Sequence, residues 1–274
     1  MTRRMEILAE LGLTPVWRQL EQPEPSQTVP GQAFESPEPG RAGDPAPGDA
    51  PEAKALDANP GGGGSIGNAG EETGLVDKAS VMSMDWGELR QTVAACTGCM
   101  LHQERKQAVL GVGDERADWL IVGEGPGAEE DARGEPFVGP AGKLLDNMLR
   151  AIGLARGANV YIANVVKCRP PANRTPSSGE AETCAPYLDR QIELVQPRLI
   201  IALGKAAAHR LLGQEGALGS MRATVHAYRG IPLIVTYHPA YLLRNMTDKS
   251  KAWEDLCFAV ETMSGQTQGE GGQG

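Results

Sequence analysis

The sequence predicts an α/β fold, a three-layer α/β/α sandwich around a central, mainly parallel four-stranded sheet, and two observations carry that prediction. Short apolar runs at 119–122, 160–166, 199–203 and 233–236 have the length of buried strands. Amphipathic stretches near 143–152, 180–195 and 205–212 separate them, and a last helix is predicted from Lys249 to about 263. Strand, helix, strand is the rhythm of a parallel sheet covered on both faces. In such sheets ligands sit beyond the carboxyl ends of the strands, so the segments that follow strands are where chemistry is sought.

The first 80 residues read differently. Within residues 1–20, MEILAELGLTPVWRQL puts Ile7, Leu8, Leu11 and Leu13 near helical spacing but is too short for a domain. It reads as a tethered docking peptide for a protein partner. From 21 to 80 the chain is crowded with Pro, Gly, Ser, Ala and acids, as in ESPEPGRAGDPAPGDAPEA and NPGGGGSIG, and reads as a disordered linker with little to bury. Residues 1–80 hold 6 Lys and Arg against 13 Asp and Glu, a balance of −7. Of the total charge of −9, only −2 is left for the remainder, so the acidity describes the tail and does not exclude a nucleic-acid partner for the domain.

The folded domain is predicted over 81–264, with a disordered tail over 265–274. Its first helix, SMDWGELRQTVAA, takes Ser83 as N-cap and aligns Trp86, Leu89 and Val93 on one stripe. No run of about 18 apolar residues is present, and Arg3 and Arg4 precede no apolar signal region, so a cytoplasmic monomer with no membrane partner is expected.

The chain has five cysteines. Cys96 and Cys99 form a C-x2-C pair after the first domain helix, Cys168 follows the second strand, and Cys184 lies in a helical stretch. Four thiolates suit one metal centre, and spacing alone does not choose between tetrahedral zinc and an iron–sulfur cluster. Cys257, among Leu256, Phe258 and Val260, is expected in the core.

Directly after the apolar run WLIV stands GEGPGAEED (123–131), a turn whose glycines permit close backbone approach to a ligand. It matches neither the dinucleotide nor the P-loop pattern, and its acids would repel phosphate. GEPFVGPAGKLLD (134–146) sets Phe137 in a loop, where an aromatic ring has little to do unless something stacks on it. NVVKCRPPANRTP follows from Asn164, and TYHPAYLLRN ends at Asn245.

In this order, the four segments and the four cysteines resemble the family-4 uracil-DNA glycosylases, over about residues 85–262. That resemblance implies a monofunctional hydrolase of base excision repair, acting on single- or double-stranded uracil-containing DNA. It also implies a [4Fe-4S] cluster on Cys96, Cys99, Cys168 and Cys184. Such an enzyme extrudes the base into a pocket and reads its Watson–Crick edge there. Phe137 would stack on the base and Asn164 would pair with it, beside Gly125. His238 would donate to the leaving uracil. The carboxylate that activates water is left among Glu124, favoured for its place at the strand end, and Glu130 or Asp131. Leu242 or Leu243 would wedge into the emptied stack, and Arg244, Lys167 and Arg169 would contact phosphates. Relatives that trap uracil-DNA covalently carry a histidine in the segment after the second strand; here KCRPPANRTPSSGEAETC has none, so hydrolysis and release are expected. Two rivals are a nucleic-acid-binding module with a zinc site and a nucleotide-handling enzyme using the GEGPG turn, the latter disfavoured by the adjacent acids.

Overall fold

The structure, a computed structural model, describes residues 77–269 and the side chains of 77–265. The predicted docking peptide and most of the predicted linker lie outside the described residues.

Six strands form one sheet: β1 (Val112–Gly113), β2 (Trp119–Gly123), β3 (Val160–Asn164), β4 (Leu199–Leu203), β5 (His226–Tyr228) and β6 (Ile231–Thr236). Their order is β1-β3-β2-β4-β6-β5. The four predicted strands are β2, β3, β4 and β6, all mutually parallel. The sheet has six strands rather than four because an antiparallel strand closes each edge. At two and three residues these edges are too short for an alternating pattern to register. β5 and β6 are joined through Arg229 and Gly230, both at positive φ (49° and 83°), the backbone of a tight two-residue hairpin.

Every residue of β2, β3 and β4 is buried, as expected of strands covered on both sides. Alternation along them splits the core in two. Leu120, Val122, Tyr161, Ala163, Ile200 and Ala202 face one layer, with Leu188 and Ile192 of helix Ser178–Val195. Trp119, Ile121, Ile162, Leu199 and Ile201 face the other, with Leu145 and Met148 of helix Pro140–Ala151 and Leu256 of helix Lys249–Gly269. The chain passes from β2 to β3 on one side and then to β4 on the other. That reversal opens a crevice beyond the carboxyl end of β2.

The amino-terminal boundary differs from expectation. A helix already runs over Lys78–Ser83 with Asp77 as N-cap, and it buries Val81. Ser83 therefore ends a helix instead of starting one. The next helix, Trp86–Ala95, starts from Asp85, whose carboxylate accepts from the Glu88 N–H while the Glu88 carboxylate accepts from the Asp85 N–H, both at 2.9 Å. This reciprocal capping box satisfies two otherwise orphaned donors. Leu89 and Val93 are buried as predicted, and Trp86 packs on Tyr161 with ring centroids 5.3 Å apart. The last helix continues to Gly269, past the predicted end and into the expected tail. Cys257 is half-buried rather than enclosed. Among the described residues no helix is long and apolar enough to cross a membrane.

Candidate active site and cysteine centre

A cavity of about 480 Å³ opens beyond β2, β3 and β6, and Glu124, Gly125, Phe137, Asn164, His238 and Arg244 all line it. Asn164 ends β3 directly opposite Gly123 of β2. It is 2% exposed, and its carboxamide oxygen has no hydrogen-bond partner. An unmatched buried acceptor is costly, about 1–3 kcal/mol, so an oxygen without a protein partner in a cavity wall is suited to accept from a bound group. Gly123 makes room for it: a Cβ there would lie 2.4 Å from Asn164 Oδ1 and 2.5 Å from Phe137 Cζ.

Phe137 sits at φ +55°, a conformation that L residues seldom adopt. Its loop is fixed from both sides. Arg156 donates to the carbonyls of Pro136 and Phe137 at 2.8 and 2.7 Å, and is itself paired with Asp146. The Glu130 carboxylate accepts from the Val138 and Gly139 N–H groups at 3.0 and 3.1 Å, and from Gly127 at 3.1 Å. The Phe137 ring is thereby held 5.5 Å from the His238 ring.

His238 lies in the turn after β6 and caps the short helix Pro239–Leu242. The Ala240 N–H donates to its Nδ1 at 3.2 Å, which leaves the proton on Nε2. Burial, assisted by Arg244, lowers its pKa to about 4 against a weaker opposing effect of Glu130. The imidazole is thus a neutral single donor at physiological pH. Gly204, at φ +85°, lets the β4 loop approach: a Cβ there would stand 2.9 Å from His238 Cβ.

The three candidate carboxylates separate clearly. Asp131 is 1% exposed, outside the cavity lining, and accepts from the Lys106 and Gln107 N–H groups. It belongs to the helix Ala128–Arg133, whose acidic first turn also contains Glu129 and Glu130. Glu130 lines the cavity, but three backbone donors occupy its oxygens. Glu124 is half-buried in the lining, and burial raises its pKa while the nearby Thr175 opposes the rise.

Among the predicted DNA contacts, Lys167 is corrected by the structure. It is 1% exposed, and its ammonium donates to Asn164 O at 2.8 Å and to Gln191 Oε1, so it does not reach a phosphate. Leu242 is also buried, at 1%, and does not reach a base stack; Leu243 beside it is 43% exposed. Arg244 is exposed at the cavity, and Arg169 is half-buried with Nε donating to Asn173 Oδ1 at 2.7 Å. Sequence reading missed Arg156, Gly204 and Arg105, because each acts on the site across long sequence separations with no motif of its own.

The four predicted cysteines line one small cavity with Val93, Arg105 and Tyr187. Three N–H donors address their sulfurs: Arg105 Nη1 to Cys168 at 2.8 Å, Lys167 N to Cys184 at 3.2 Å, and Gly98 N to Cys96 at 3.5 Å. Burial pushes the Cys184 thiol up to about 12 and raises Cys99 and Cys168. Among the described residues no group of three or more His, Cys, Asp or Glu converges as for a single metal ion. Four cysteines around one cavity, with N–H groups aimed at three of their sulfurs, fit thiolate ligation of one metal centre.

Comparison with known proteins matches these features. The family model described as Uracil DNA glycosylase superfamily matches residues 110–257. A type-4 uracil-DNA glycosylase of Pyrobaculum aerophilum is 44% identical over 183 residues, covering 64% of this chain and 93% of its own. The type-4 uracil-DNA glycosylase of Archaeoglobus fulgidus is 42% identical over 164 residues, covering 57% and 82%. That of Thermotoga maritima is 44% identical over 161 residues, covering 58% and 83%.

Proposed function

The chain belongs to the uracil DNA glycosylase superfamily, alongside its type-4 members, and from that premise we propose how this cavity removes uracil from DNA and leaves an abasic site. The observation that carries the reading is the unpartnered Asn164 carboxamide oxygen, buried in a cavity that also holds Phe137 and His238. A flipped uracil presents N3–H beside O4, and one carboxamide matches both: Oδ1 accepts from N3–H, and Nδ2 donates to O4. Cytosine offers a bare N3 and an amino group there, which leaves both amide positions mismatched. Phe137 stacks on the base.

Breaking the N1–C1′ bond sends its electron pair into the uracil ring and leaves cationic character on the sugar. His238 donates its Nε2–H to O2 as the negative charge develops, with no proton transfer required. Glu124 accepts a proton from the water that bonds to C1′. Three backbone donors tie down the Glu130 carboxylate and Asp131 lies outside the lining, which favours Glu124, the other carboxylate in the lining, for this role. Arg244 at the rim is available for a phosphate, and exposed Leu243 for the vacated stack.

Cys96, Cys99, Cys168 and Cys184 would hold a [4Fe-4S] cluster, whose contribution there is structural cross-linking. The N–H donors to three of the sulfurs support thiolate ligation, and Arg105 adds a positive charge beside Cys168. The test is excision from a labelled oligonucleotide carrying one uracil, with cytosine and thymine controls. Cleavage after alkali at uracil alone is expected. No cleavage by cluster-loaded protein would return the chain to a nucleic-acid-binding role.

A further inference from the structure

Lys167 has no part in the proposed chemistry, yet it is among the largest side chains that the fold encloses fully. Its place follows from how β3 ends. β1 pairs with Tyr161 and Ile162, so its ladder stops two residues short of Asn164. On the other edge the pairing with β2 runs on past the strand: the Val165 N–H donates to Gly123 O at 3.0 Å and the Val166 N–H to Glu124 O at 3.2 Å. In a trans peptide the C=O and N–H groups point opposite ways. The Asn164 carbonyl, which shares its peptide with the Val165 N–H, therefore faces away from β2, toward the edge where the ladder has ended. There the Lys167 ammonium supplies the donor, at 2.8 Å.

A second enclosed side chain completes the bridge. Gln191, on the helix Ser178–Val195, accepts from the same ammonium through Oε1 and donates through Nε2 to Leu110 O and to the Tyr161 hydroxyl, both at 3.0 Å. The Lys167 backbone is held as well, its carbonyl accepting from the Val109 N–H at 2.7 Å and its N–H donating to Cys184 Sγ at 3.2 Å. Both acceptors of the ammonium are neutral oxygens, and a charged donor makes a bond about twice as strong as a neutral one. We propose that Lys167 is a positioning residue for base discrimination: its ammonium fixes the peptide at the end of β3, and with it the direction in which the Asn164 carboxamide enters the cavity. The proposal rests on Asn164 as the reader of the base. A carboxamide free to tilt meets N3–H and O4 less squarely, which slows uracil excision and narrows the margin over cytosine.

Lys167→Met, Lys167→Gln and Gln191→Met in the full chain test this, with single-turnover excision of uracil and cytosine, oligonucleotide affinity and metal content measured for each, and Asn164→Asp as reference. Lys167→Met keeps the stem and removes the donor. Uracil excision should slow about threefold to tenfold, and the uracil-to-cytosine ratio should narrow by a similar factor, at unchanged oligonucleotide affinity and metal content. Lys167→Gln, whose side chain is too short to span to the Asn164 carbonyl, should narrow the ratio in the same direction, and it decides the matter if the methionine variant does not fold. Gln191→Met breaks the same buried network but spares the bond to Asn164, so it should keep the ratio of the natural chain. An unchanged ratio in a folded Lys167 variant, or an equal narrowing in Gln191→Met, overturns the proposal. If metal is lost while the ratio holds, the lysine is instead a counter-charge to the cysteines. An unchanged ratio in Asn164→Asp would remove the reading of Asn164 on which the proposal stands, so the two failures are told apart.

Discussion

A carboxamide distinguishes two bases only if its rotation is fixed, because turning it over exchanges donor and acceptor. Asn164 is fixed by crowding: Gly123 leaves just enough room beside it, and its own backbone carbonyl is held by the buried Lys167 ammonium. His238 is fixed in a different way, by the Ala240 N–H on Nδ1 and by burial that keeps it neutral to about pH 4. On the proposed roles of His238 and Glu124, their protonation states set the acid behaviour of excision. As pH falls, Glu124 takes up a proton first, because burial has raised its pKa above the ordinary 4.5, while His238 is still neutral. A single-turnover rate profile should therefore lose activity on the acid side in one step above that ordinary value. His238→Ala should leave the limb where it is, lower the plateau about 10²- to 10³-fold as for a lost oxyanion donor, and leave DNA binding nearly intact. A limb that shifts with His238→Ala would assign the titration to the imidazole. At this scale the sequence was informative about residue type but not about placement. Leu242 and Leu243 are adjacent at the end of one short helix, and only packing decides which turns inward. Lys167 is a buried lysine, an exception that composition cannot announce, since lysine is almost always exposed unless paired.

Elements carry the next level of the design. The Phe137 loop holds an unfavourable backbone conformation, and strain of this kind persists only where the surroundings enforce it. Arg156, on a loop far along the chain, and Glu130, on the helix after β2, supply that enforcement through four hydrogen bonds to loop backbone. Arg156→Ala should relax the loop and release the stacking ring, lowering kcat/KM for uracil about tenfold or more, with a stability loss of about 1–3 kcal/mol from the two uncapped carbonyls. Stability lost at unchanged kcat/KM would show that the loop keeps its shape without Arg156. The four central strands were legible because their apolar runs have strand length and stand between amphipathic helices. The edge strands and the capping choice at Asp85 were not, since pairing partners and a reciprocal hydrogen bond settle them. The acids of GEGPGAEED were legible as a group, yet their division into pocket, loop clamp and buried anchor follows from a helix six residues long.

Taken whole, the molecule places two centres just beyond the carboxyl end of β3. The strand ends in Asn164, and a short step along the chain reaches Cys168, so the Asn164 amide and the cysteine cavity are joined by one short, buried stretch of backbone. Two observations support the proposal that this second centre is a cluster: four cysteines line one cavity, and N–H donors address three of their sulfurs. Protein purified without oxygen should be brown and carry about four iron atoms per chain, and Cys168→Ser should lose them and melt at lower temperature. Colourless protein holding one zinc would contradict this. Four cysteines in family order made the centre visible in the sequence, whereas Arg105, whose guanidinium bridges Cys168 and the carbonyl of Ala94, has no spacing rule that would reveal it.

The most direct test of the central claim, that the Asn164 amide reads the base in this cavity, is the ratio of uracil to cytosine excision by Asn164→Asp under single-turnover conditions. The carboxyl group has lost the donor for O4, so uracil excision should fall and discrimination against cytosine should relax by about tenfold or more, the scale of one mismatched hydrogen-bonding position. An unchanged ratio at a rate close to that of the natural chain would contradict it.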